Sequence, residues 1–186
     1  CCTSANHVVC HGIPSDKILK DGDIVNVDVT AFKDGWHGDT SRMFKIGEVS
    51  IKAEKLINVT YESMMKAISI IKDGIHLGDI GSIIQKNVEA EGFSVVQDFC
   101  GHGIGQVFHK EPNVLHYGEK GTGKKISEGM IFTIEPMINT GSYEIKTLND
   151  GWTAVTKDKS LSAQFEHTIG VTKNSCEIFT ELNNAN

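Results

Sequence analysis

One stretch constrains the fold more than any other: Ile24–Phe44, "IVNVDVTAFKDGWHGDTSRMF". Its first seven residues alternate. Val25, Val27 and Val29 fall on one face, and Asn26, Asp28 and Thr30 on the other, which is the period of a β-strand. Asp34-Gly35 is a two-residue hairpin signal. A symmetric hairpin about that turn sets Asp28 opposite Ser41 and Thr30 opposite Asp39. Asp28 and Asp39 then share a face as diagonal neighbours, with Cβ atoms roughly 7 Å apart. At an effective dielectric near 20, two such carboxylates repel by about 2 kcal/mol. No cation of the hairpin relieves them on that face, because Lys33 sits in the turn and Arg42 has the opposite parity. The relief is a raised pKa, a basic partner from elsewhere or a bound cation.

Helical spacing follows the hairpin. Residues 51–72 place Leu56, Val59, Met64, Ile68 and Ile71 on one stripe before Asp73-Gly74 stops the run. Residues 79–91 repeat the pattern through Ile80, Ile83, Ile84 and Val88, with Asp79 expected as N-cap and Gly92 just past the end. "FSVVQDF", "MIFTIEP" and "FEHTIGVT" then read as strands. Strands, two helices and strands predict an α+β domain over residues 1–186, with helices on one side of a largely antiparallel sheet. A faint two-fold echo exists, since each half offers hairpins that carry acids. With 39% hydrophobic and 23% charged residues, the chain has the make-up of a soluble globular protein. Its net charge of −6 argues against a groove that tracks nucleic-acid phosphates. No apolar run approaches the ~20 residues of a membrane span. The five cysteines form no C-x-x-C pair, which predicts reduced thiols in a cytoplasmic setting.

Two further acids stand in apolar strand-like surroundings, Glu135 in "MIFTIEP" and Glu166 in "SAQFEHTIGVT". Joined to Asp28, Asp39 and a lone imidazole, His102, they make a hard, oxygen-rich set with one nitrogen. That set suits divalent cations, either zinc or ions of the first transition row. His102 lies in "CGHGIG", where glycines on both sides permit close backbone approach. The G-x-G-x-G spacing is no dinucleotide fingerprint, and "GEKGTGKK" lacks the Ser or Thr of a phosphate loop. His109, seven residues past His102, is available for proton transfer near neutral pH. No G-x-S-x-G elbow offers a serine nucleophile.

"CHGIP", "VNVDVT", "HGDTSRMF", "CGHGIG", "FHKEP", "FTIEPMI" and "SAQFEHT" occur in that order along nearly the whole chain. Together they resemble the type I methionine aminopeptidases of peptidase family M24. The resemblance implies a pita-bread fold, a pseudo-two-fold antiparallel sheet with helices on its outer face. It implies two divalent ions (Co, Mn, Fe or Zn) held by Asp28, Asp39, His102, Glu135 and Glu166, with Asp39 and Glu166 bridging. A water between the ions would be the nucleophile and Glu135 its proton acceptor. His109 would meet the scissile carbonyl oxygen, and His11 the amide nitrogen beyond the cut. Cys2, Phe108 and Trp152 would line the pocket for the methionine side chain. Asn6, Val8 and Ser162 match positions that hold a monovalent cation in some relatives. The implied activity is removal of the initiator methionine from nascent chains with a small second residue, by a cytoplasmic monomer in transient contact with the ribosome.

The chain departs from the family at its start, where the family's N-terminal helix and first strand are absent. Gln106 stands where many relatives have arginine, and Lys110 where an acid is common. Two other readings compete: a proline-directed peptidase of the same fold, and a relative that binds without catalysis. All five ligand positions are filled, which disfavours the second of these.

Overall fold

The computed structural model describes residues 1–181. The strands of the first half are β1 (Cys2–Ala5), β2 (Val8–Cys10), β3 (Ile24–Lys33) and β4 (Trp36–Lys45). Helices α1 (Ile51–Ser69) and α2 (Leu77–Ala90) follow. The second half holds β5 (Ser94–Val95), β6 (Gly101–Gly103), β7 (Lys110–Val114), β8 (Ile131–Ile134) and β9 (Met137–Asn139). It continues with β10 (Ile145–Thr147), β11 (Ala154–Thr156), β12 (Ser162–Gln164), β13 (His167–Val171) and β14 (Cys176–Ile178). All pairings are antiparallel, in sheets ordered β1-β3-β4, β10-β11-β2, β12-β9-β5 and β14-β13-β8-β6-β7.

The β3–β4 hairpin has the expected register, with Asp28 opposite Ser41 and Thr30 opposite Asp39. β3 is buried at Ile24–Asn26 and exposed from Val29 to the tip, while β4 is buried at Asp39 and Ser41, so burial follows position along the ribbon more than the valine face. Ser50 caps α1 by accepting the Ala53 N–H, and Leu56, Thr60, Ser63, Met64 and Ala67 bury one stripe. The helix ends at Ser69, three residues short of the expected stop, because the Ile70 N–H turns to the Ala67 carbonyl. α2 begins at Leu77, earlier than expected. Asp79 is not its N-cap but sits in the first turn, where its carboxylate accepts the His76 N–H at 2.9 Å and the Gly121 N–H at 2.7 Å. Gly92, at φ +79°, ends the helix as anticipated. "FSVVQDF" contributes only Ser94–Val95 as strand, because β9 pairs with just those two residues before the chain leaves.

Alternation along the second-half strands separates two environments. Phe132 and Ile134 of β8, Ile138 of β9, Ala163 of β12 and Ile169 of β13 join Leu56, Met64, Ile80 and Ile84 of the helices in one core. The intervening residues Thr133, Met137, Gln164 and Thr168 point the other way, as do Glu135 and Glu166 at the strand ends. The helices thus cover one face, and a cleft opens on the other. The halves are joined across that cleft by a reciprocal backbone bridge. Ser41 N–H donates to the Glu166 carbonyl at 3.4 Å, and Glu166 N–H to the Ser41 carbonyl at 3.1 Å.

Candidate metal centre

The acids of both halves meet in this cleft, whose volume is about 370 Å³. Asp28 arrives from β3, Asp39 from β4, His102 from β6, Glu135 from the residue after β8 and Glu166 from the residue before β13. Among the described residues, no lysine or arginine lines it. Asp39, His102 and Glu166 each offer a ligand atom, all within 4.8 Å of one another. His102 Nε2 lies 3.8 Å from Asp39 Oδ2 and 3.5 Å from Glu135 Oε1. Its Nδ1 is 3.2 Å from the Gly103 carbonyl, which only accepts, so Nδ1 carries the proton and the Nε2 lone pair faces the acids.

The flanking glycines act on neighbouring strands. A Cβ at Gly101 would collide with the Thr133 carbonyl of β8, and one at Gly103 with the Glu111 carbonyl of β7. Gly-His-Gly is therefore the composition that lets β6 fit between its neighbours while a single imidazole reaches the cleft.

The backbones of Asp39, Glu135 and Glu166 are each pinned by a side chain that carries no signal in the sequence. Thr168 Oγ1 accepts the Asp39 N–H at 3.0 Å and donates to the Asp39 carbonyl at 2.8 Å, across a separation of 129 residues. Thr30 Oγ1 donates to Asp39 Oδ1 at 2.8 Å. Thr133 Oγ1 donates to Glu135 Oε1 at 2.7 Å and accepts the His102 N–H at 3.0 Å. The fully buried His116 accepts the Glu135 N–H at Nε2, at 3.1 Å, and burial holds its pKa down at about 3. Thr40 Oγ1 donates to the Glu166 carbonyl at 2.9 Å.

Such crowding strains the ionised state. Burial, then the charge of Asp39, raises the Asp28 carboxyl to about 6. Burial raises Glu135 to about 8, with Asp39 and Asp28 adding to the effect. Glu166 is pushed well above the usual carboxylate range by burial and by Glu135. Burial lowers His102 and so favours the neutral ring that ligates metal. Glu166 Oε1 is buried and has no hydrogen-bond partner among the described residues. An orphaned carboxylate oxygen beside three more acids and one imidazole, in a cleft lined by no described lysine or arginine, fits divalent metal.

The remaining expected residues surround this centre. Cys2 pairs with Asp28 across β1–β3, and it lines the cleft together with Trp152. His11, at φ 58°, stacks on Trp152 at 4.6 Å and meets the edge of Phe99 at 5.3 Å. His109 packs on His102 at 4.3 Å and on Phe108 at 3.8 Å. Trp152 is 54% exposed and stands at the rim. Asn6, Val8 and Ser162 lie away from the cleft lining. The Asn6 carbonyl accepts the Ser162 N–H at 2.8 Å, and Ser162 Oγ is buried without a partner. Phe99, Cys100, Asn113, Met137 and Gln164 also line the cleft and were not expected from sequence.

A pseudo-two-fold antiparallel fold with a carboxylate-rich, single-imidazole centre defines a metal-dependent hydrolase. The profile of metallopeptidase family M24 matches residues 1–173, and the chain belongs to that family. It is 62% identical over 180 residues to the methionine aminopeptidase of Rickettsia prowazekii (strain Madrid E), covering 96% of this chain and 70% of that protein. The crystal structure of methionine aminopeptidase from Rickettsia prowazekii superposes with a TM-score of 0.95 at 61% identity, covering 97% of this chain and 73% of that one. Prolidase from Pyrococcus furiosus superposes at 0.78 with 23% identity over 98% of this chain and 49% of that one, which establishes the shared pita-bread fold alone.

Proposed function

We infer that this chain is a metalloaminopeptidase that removes the N-terminal methionine of proteins whose second residue is small. The observation that carries the reading is the convergence of Asp28, Asp39, His102, Glu135 and Glu166 on one cleft rimmed by Cys2, His11, Phe108, His109 and Trp152. It is supported by 62% identity to a methionine aminopeptidase over almost the whole chain.

Asp28, Asp39, His102, Glu135 and Glu166 would hold the divalent ions, with Asp39 and Glu166 as the shared ligands. Zn, Mn, Fe or Co meets the donor chemistry. When bound, the ions supply an acidified water as nucleophile. The protein's own groups do the rest. Glu135 accepts the water's proton at Oε2, whose one partner is the long 3.4 Å bond from Gln164. His109 donates to the scissile carbonyl oxygen as charge develops there. His11 contacts the amide nitrogen beyond the cut and assists the leaving amine. Cys2, Phe108 and Trp152 enclose the thioether, and aromatic rings pack well against sulfur. A monovalent cation near Asn6, Val8 and Ser162 would satisfy the orphaned Ser162 hydroxyl. The working form is a cytoplasmic monomer that meets nascent chains in transient contact with the ribosome. All five cysteines are free, which suits a reducing compartment.

The test is release of methionine from Met-Ala-Ser with added metal, set against Met-Lys and Xaa-Pro peptides. Cleavage of Met-Ala-Ser alone is expected. Cleavage confined to Xaa-Pro peptides would assign a proline-directed enzyme instead.

A further inference from the structure

The cleft wall beside the metal ligands continues outward as a column of rings whose outer members, Phe32 and His37, the proposed roles do not use. Phe32, 65% exposed near the tip of β3–β4, lies 4.5 Å from the His37 ring. His37 stacks on Phe108 at 5.5 Å with the planes 16° apart. Phe108 in turn touches His109 and stands edge-on to His102 at 5.7 Å. His37 also grips the loop that carries Phe108 and His109. Its backbone N–H donates to the Gly105 carbonyl at 2.8 Å, and its Nδ1 lies 3.1 Å from that same oxygen. A carbonyl only accepts, so Nδ1 bears the proton and the ring orientation is fixed.

We propose that His37 is a positioning residue for the methionine pocket: by clamping Gly105 and backing the Phe108 ring, it sets the pocket wall relative to the metal centre and so governs side-chain selectivity. The inference rests on the reading that Phe108 faces the substrate methionine. Residues 105–109 form no regular strand, and Gln106 and Val107 are exposed, so little else ties this loop to the sheet. The β4 ribbon is rigidly paired to β3, and His37 transfers that rigidity to the loop.

The experiment compares wild type, His37→Asn and His37→Ala on Met-Ala-Ser and Leu-Ala-Ser, with metal affinity measured by calorimetry. His37→Ala is expected to raise KM for the methionine peptide about tenfold, from the loss of one side-chain hydrogen bond and one ring contact. Its preference for methionine over leucine falls, while metal affinity and kcat change little. His37→Asn keeps a side-chain N–H near Gly105 and falls between the two; it carries the test alone should the alanine variant not fold. In a Phe108→Ala background, His37→Ala adds nothing further to KM. Selectivity within twofold of wild type in the variants, or full additivity with Phe108→Ala, overturns the proposal. So does a loss of metal affinity that tracks KM. Should wild type itself release no methionine, the functional reading fails, independently of what the variants do.

Discussion

The two halves of the cleft supply acids by different means. Asp28 and Asp39 lie within one continuous ribbon whose Asp34-Gly35 turn dictates their spacing. Glu135 and Glu166 lie just outside β8 and β13, and reach the cleft only because His167 pairs with Ile134 and Ser41 bridges to Glu166. The first pair is a local product of sequence. The second exists only once distant strands have paired. A metal centre assembled this way links folding to binding, because neither pair can hold the ions alone.

Substitutions that remove one shared ligand should break both halves at once. Asp39→Ala and Glu166→Ala are each expected to lower activity by at least about three decades and to reduce the bound metal, read by elemental analysis. Wild-type turnover in either would contradict the bridging assignment. His109→Ala belongs to neither pair. It should retain metal and slow the chemical step by about two to four decades, as loss of a positioned donor does. If that variant instead loses its metal, His109 is a ligand.

A smaller effect concerns pH. Asp28 and Glu135 titrate at about 6 and about 8 in the metal-free fold, above their ordinary range, and Glu166 is shifted the same way. Groups with raised folded pKa values contribute stability that is full below the unfolded value near 4 and lost as pH rises through the folded ones. With chelator present, the melting temperature should therefore fall between pH 5 and pH 9. Divalent metal should restore more at the upper end, since an ion replaces the protons. A flat profile in chelator would mean that the acids are relieved in some other way.

The smallest change sharpens the contrast between the halves. Thr168→Val removes both hydrogen bonds to the Asp39 backbone and should cost about 1–3 kcal/mol of stability and about tenfold in metal affinity. Unfolding in denaturant and metal titration read the two quantities separately. An unchanged metal affinity would show that the hairpin alone holds Asp39 in place.

What was legible in the sequence follows the same division. The hairpin register, the amphipathic stripe of α1 and the glycine stop of α2 all arise from neighbours in the chain, and each was readable. The start of α2 was misplaced because Asp79 caps from inside the first turn, where its carboxylate serves both His76 and Gly121. The ten metal, catalytic and pocket residues proposed from the motifs do line one cleft. The groups that hold them there were invisible. Thr30, Thr133, Thr168 and His116 act through one or two hydrogen bonds each, several of them to partners far along the chain, and an isolated threonine announces nothing. The glycines around His102 make room for strands β7 and β8, a packing need that their spacing in the sequence does not reveal.

The most direct test of the account is a crystal of the metal-loaded protein with anomalous data collected at the edge of the bound element. Two peaks in the cleft are predicted, both within reach of Asp39 and Glu166, with Asp28, His102 and Glu135 completing the ligand set. A single ion outside this set, or ions held by the cysteines, would contradict it.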